Sequence, residues 1–139
     1  MPPGDQRSAG QMYADLAKQL ALRRLLEGKV LRRARNASDS DYSGGGWYDE
    51  RKFALFLFAD GTFRWEKSSF SVVRGGGMSL PSRRGEKREG TWQMSVRDGA
   101  GELILTADGA EFARWPTREG GPGVQILDGQ EWNRYVIRG

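Results

Sequence analysis

Phe53-Ala54-Leu55-Phe56-Leu57-Phe58-Ala59-Asp60-Gly61-Thr62-Phe63-Arg64-Trp65 is the stretch that decides the fold. Two apolar, aromatic-rich runs face each other across an Asp-Gly dipeptide. That arrangement is the strongest short-range signal for a β-hairpin, because a type I′ turn needs positive φ at its two central residues. The dipeptide recurs at Asp98-Gly99, Asp108-Gly109 and Asp128-Gly129. Together the four connect runs 53–58 with 62–73, 88–96 with 102–107, the latter with 111–115, and 124–127 with 130–137. Residues 29–35 complete eight expected strands.

Several of these runs alternate cleanly. Gly90, Trp92, Met94 and Val96 share one face, while Thr91, Gln93, Ser95 and Arg97 share the other. Phe63 and Trp65 are in phase with each other but not with Phe70 and Val72, so a bulge near 67–69 is expected. Residues 37–52, 74–87 and 116–123 read as longer polar loops. A meander of this kind removes its edges by closing on itself. The expected class is therefore mainly β: an eight-stranded antiparallel up-and-down barrel preceded by one N-terminal α-helix, with a two-sheet sandwich as runner-up.

A chain of 139 residues has room for one domain and one core. Residues 1–8 read as a disordered leader and 9–139 as a single domain, with a helix at 9–27 and the barrel at 29–137. The helical stretch is rich in Ala, Leu, Gln and Arg, with Ser8 as N-cap and Gly28 placed to end it in the left-handed conformation. Met12, Tyr13, Leu16 and Leu20 form one apolar stripe, and Leu22, Leu25 and Leu26 lie roughly opposite. Either the helix touches two things, or it unwinds after Ala21 and its leucines turn inward.

Composition narrows the chemistry. The chain has neither Cys nor His, so disulfides, thiol catalysis, thiolate metal sites and an imidazole proton shuttle are all excluded. No phosphate-loop, Ser-x-x-Lys or paired-carboxylate motif occurs, and the expectation is a protein that is not an enzyme and has no cofactor. The net charge is +4, and residues 1–35 hold eight Lys/Arg against three Asp/Glu, leaving the remainder near neutral. No run is apolar enough to insert into a membrane, and the first residues lack a signal-peptide pattern, so the expected location is cytoplasmic.

Leu26-Glu27-Gly28-Lys29-Val30 after a helix, followed by a strand meander, resembles the lipocalin-like barrels of the calycin group. Those families open their first strand with Gly-x-Trp and carry an Arg near the end of the last. Here Gly28-Lys29-Val30 and Trp132-Asn133-Arg134 occupy those positions. Phe58-Ala59-Asp60-Gly61-Thr62-Phe63, with Gly90-Thr91-Trp92 further on, is similar to a rhythm of small bacterial lipocalin-like domains. The resemblance implies the barrel fold, and a small apolar ligand inside it as one possible function.

Four sets of residues are candidates for function. Met12, Tyr13, Leu16 and Leu20, with Arg23 and Arg24, could bind another protein or a second copy of the chain. Phe63, Trp65 and Trp92 could stack on a small apolar ligand in the barrel, although filling of the interior by these rings is the stronger expectation. Asp39-Ser40-Asp41-Tyr42-Ser43-Gly44 with Glu50 matches the spacing of a calcium loop, but strands rather than helices flank it, so no metal site is expected. Arg74-Gly75-Gly76-Gly77 with Arg83-Arg84, and the cluster Arg23, Arg24, Lys29, Arg32, Arg33 and Arg35, are basic enough for single-stranded nucleic acid. Glu86 and Glu89 lie close by, and the reading disfavours that partner.

Overall fold

The computed structural model describes residues 7–40, 46–75 and 78–137. One helix, α1 (Ala9–Leu26), precedes β1 (Lys29–Ser40), β2 (Gly46–Leu57), β3 (Thr62–Gly75), β4 (Met78–Arg97), β5 (Ala100–Ala107), β6 (Ala110–Gly121), β7 (Val124–Leu127) and β8 (Gln130–Val136). Each strand pairs antiparallel with the next and β8 returns to β1, so the sheet closes as a barrel.

The helix starts and stops where its caps dictate. Ser8 Oγ accepts the Gln11 N–H at 3.1 Å, and Gly28 turns the chain into β1 at φ 73°. Because α1 is unbroken to Leu26, it does not unwind after Ala21. Ser8 is the cap and Arg7 reaches the Asp15 carboxylate at 2.8 Å, while residues 1–6 lie outside the described residues.

Three of the four Asp-Gly pairs have positive φ at both positions, as a type I′ turn requires: Asp98-Gly99, Asp108-Gly109 and Asp128-Gly129. The founding pair differs. Only Gly61 has positive φ (89°), and Asp60 Oδ1 instead accepts the Thr62 N–H at 2.9 Å. Within this longer turn the Phe58 carbonyl accepts twice, from the Gly61 N–H at 3.1 Å and from Trp92 Nε1 at 2.8 Å.

The expected bulge is absent, and the expected loops are shorter than the sequence suggested. β3 pairs with β2 and with β4 without a register shift along its whole length. Phe70 is out of phase because it faces outward, against Tyr48 at 6.2 Å between ring centroids. Most of 37–52 and 74–87 is strand, and β6 runs on through 116–121. A hydrogen-bonded ladder needs paired backbones rather than apolar side chains, so polar composition did not stop these strands.

Strand length then divides the sheet into two regions. β1 pairs with β8 only over 29–32, and β4 pairs with β5 only over 91–97. Beyond those points β1 to β4 continue as a four-stranded extension above the barrel rim. Gly90 marks the parting of β4 from β5, because a Cβ there would lie 1.9 Å from the Thr106 carbonyl oxygen. Only a glycine permits that approach.

Below the rim the interior is packed. Leu31, Leu55, Leu57, Phe63, Trp92, Met94, Val96, Leu103, Leu105 and Leu127 are buried in one cluster, which Leu22 and Leu26 of α1 join from the closed end. Each such side chain contributes about 1.5–3 kcal/mol by leaving water.

Candidate functional site

α1 is a plug with one locked face and one free face. Asp15, only 2% exposed, accepts from Arg7 Nη1, Gln11 Nε2, and the backbone N–H groups of Asp98 and Gly99, all at 2.8–2.9 Å. Burial by itself would raise the pKa of this carboxyl. The four donors, Arg7 foremost, outweigh that and hold it well below the usual carboxylate range. Gln19 Oε1 accepts from the Val96 N–H at 3.2 Å, and Lys18 Nζ donates to the Gly99 carbonyl. Gly101 leaves room for Leu22, whose Cδ1 would lie 2.8 Å from any Cβ at that position. The helix is thereby tied to the β4–β5 turn. On its other side Met12, Tyr13, Leu16 and Leu20 are exposed by 39, 78, 52 and 49%. Arg24 is exposed beside them, whereas Arg23 lies 4.6 Å over the Trp92 ring and belongs to the packing.

The three candidate ligand-lining rings lie in the barrel. Phe63 and Trp92 are almost fully buried, with Phe63 stacked on Phe112 at 6.1 Å. Trp65 is half-buried and meets Phe112 edge-on at 5.6 Å. Phe53 and Trp132 meet edge-on at 6.0 Å, and the buried Trp132 Nε1 has no hydrogen-bond partner among the described residues. The last-strand arginine, Arg134, donates to Gln125 Oε1 at 3.0 Å, and Gln125 passes the chain of bonds on to Thr117.

The extension gathers residues that are far apart in sequence. Register places Arg35, Arg51, Ser69 and Arg84 in one row across β1 to β4, with Arg33, Phe53, Lys67 and Glu86 in the next row toward the barrel. Both rows share the face that continues the barrel interior. Arg51, Lys67, Ser69, Ser71, Ser82 and Arg84, together with Asp49 and Glu86, line a groove of about 320 Å³ there. The expected basic cluster is thus split. Arg33 and Arg35 point to this inner face, Arg32 to the outer one, and Arg23 to the opposite end of the barrel.

On the outer face Ala34, Lys52, Ser68 and Gly85 form one register row and Arg32, Ala54, Glu66 and Lys87 another. Their small members floor a trough of about 740 Å³ that also reaches Phe56 and Tyr135. Higher up, Tyr48 donates to Glu50 at 2.9 Å and Lys52 pairs with Glu50 at 3.0 Å. The bond to Glu50 raises the Tyr48 pKa, while Lys52 and then Tyr48 lower that of Glu50. Glu50 sits opposite Asn36 in a strand and is engaged by Tyr48 and Lys52. Positions 41–45 of the calcium-loop pattern, and 76–77 of the glycine-rich one, lie outside the described residues. Among the described residues no group of His, Cys, Asp and Glu is arranged to hold a metal, and no helix is long and apolar enough to cross a membrane.

The chain is a closed eight-stranded antiparallel meander barrel behind one helix, which is consistent at coarse level with a lipocalin-like fold. No family model, curated protein or solved structure matches the chain.

Sequence reasoning missed two features. The buried Asp15 could have been found by noting that it shares a helix face with Leu22 and Leu26. The inward phase of Arg51 could have been found by carrying the alternation of Leu57, Leu55 and Phe53 one step further.

Proposed function

We propose that the protein is a non-catalytic binding domain of the lipocalin-like group that self-associates through the free face of α1. The observation carrying this reading is the helix itself: one face is fastened by Asp15, Leu22 and Leu26, and the other exposes four large apolar side chains. A rigid apolar stripe on an otherwise polar chain is a docking surface rather than a packing remainder. Leu16 sits at its centre with Met12 and Leu20 one turn to either side. An antiparallel helix of a second copy sets Leu16 against Leu16 and Met12 against Leu20, which is the self-complementary contact of a two-fold dimer.

The competing use of the barrel, a small apolar ligand against Phe63, Trp65 and Trp92, has less support because these rings are taken up by packing. Light scattering across a concentration series tests the proposal. The native chain should weigh as a dimer at high concentration, and Leu16→Glu should weigh as a monomer with an unchanged melting temperature. A chain that remains monomeric throughout contradicts it.

A further inference from the structure

We propose that the inner face of the four-stranded extension binds a compact phosphate-bearing ligand. Arg35 stands directly opposite Arg51 on neighbouring strands, and Arg84 lies two strands further along the same row. Like charges directly opposed in a sheet destabilise it. The strands are spaced about 4.8 Å apart, so the row spans only about 14 Å. Arg33 and Lys67 add two more cations in the next row.

Neutralisation from within the fold is incomplete. Arg51 is held by Asp49 at 3.2 Å. No salt bridge joins Arg33, Arg35 or Arg84 to a carboxylate among the described residues, and Lys67 meets only the Phe53 ring, at 6.0 Å. The groove itself is lined by Arg51, Lys67 and Arg84, by the hydroxyls of Ser69, Ser71 and Ser82, and by the carboxylates of Asp49 and Glu86, with Arg33 and Arg35 on the neighbouring strand adding the surplus of positive charge. Guanidinium forks and hydroxyl donors converging on one small hollow are the chemistry that recognises a tetrahedral oxyanion. Its volume, about 320 Å³, fits one or two phosphate groups and a small organic body rather than a long polymer. Phe53, half-buried in the next row, offers a ring edge to such a body.

The repulsion within the row yields a test that separates binding from structure. Melting temperature is followed at constant ionic strength in a chloride buffer, while inorganic pyrophosphate or ATP is titrated in. The native chain should be stabilised saturably by at least one of the two. ATP alone points to a phosphate carried on an organic body, and both together point to the oxyanion itself. Arg51→Gln and Arg84→Gln should each weaken the response roughly tenfold, the loss of one charge-assisted bond. Arg35→Gln should melt higher than the native chain without any phosphate and respond less when it is added. A native chain indifferent to both phosphates overturns the proposal, as does an Arg35→Gln variant that melts lower in chloride alone. Tight binding of an oligo-dT strand with no response to either phosphate also overturns it, and assigns the face to nucleic acid.

Discussion

The same four strands behave as two materials above and below the barrel rim, which β1 crosses after Arg32 and β4 crosses at Gly90. Below it, β1 to β4 turn Leu31, Leu55, Leu57, Phe63 and Trp92 inward, and the ladder closes through β5 to β8. Above it, the ladder and alternation continue without interruption, but the inward positions carry Arg33, Arg35, Arg51, Lys67 and Arg84. Above the rim β1 loses β8 and β4 loses β5, so the change of side chains coincides with the opening of the sheet. The lower half gains its stability by burying apolar surface. The upper half buries little, exposes two charged edges at 33–36 and 81–90, and keeps its cations within reach of solvent. Edge strands dressed in Lys, Arg and Pro resist pairing with other chains. The extension therefore presents its face rather than its edge.

The sharpest break between the halves should come from Trp92. Its ring fills the barrel and its Nε1–H satisfies the Phe58 carbonyl. Trp92→Ala should cost about 3–5 kcal/mol in denaturant unfolding, the range for an emptied aromatic site in a packed core. A loss no larger than that of an exposed extension residue would mean that the barrel is not the stabilising half.

A smaller effect, and a pH-dependent one, should follow from Asp15. Its folded-state pKa is depressed, so its contribution is present in full above the unfolded carboxylate value of about 4. That contribution is lost as pH falls through the folded value. At pH 7, Asp15→Asn should melt below the native chain, because the amide replaces a carboxylate that faces the Arg7 guanidinium. Between about pH 4 and pH 2 the two melting curves should draw together. Parallel curves across that range would show that Asp15 is held by shape and not by charge.

Much of the fold was legible because its signals are local. Three Asp-Gly pairs demanded positive φ in their own four residues, and Ser8 and Gly28 bracketed the helix. The barrel followed from counting strands. The extension was hidden because its strands have no apolar face, and composition alone makes such a strand look like a loop. The phase of Phe70 misled for the same reason: it was assumed to seek the core, whereas Tyr48 and Arg83 cover it outside, with the Arg83 guanidinium 5.1 Å from its ring. The apolar stripe of α1 was visible at 100° per residue, and the structure adds what fastens the opposite side. The arginine row was not legible. It depends on registers among β1, β2, β3 and β4, which no single stretch of sequence encodes.

Hydrogen exchange along β4 tests the division at Gly90 most directly, because it compares two parts of one strand in one molecule. Amides over 91–97, in the segment that pairs with β5 and is covered by α1 and the core, should exchange only through global unfolding. Amides over 78–90, paired with β3 alone, should exchange orders of magnitude faster, with the step falling at Gly90. Uniform protection from one end of β4 to the other would contradict the account.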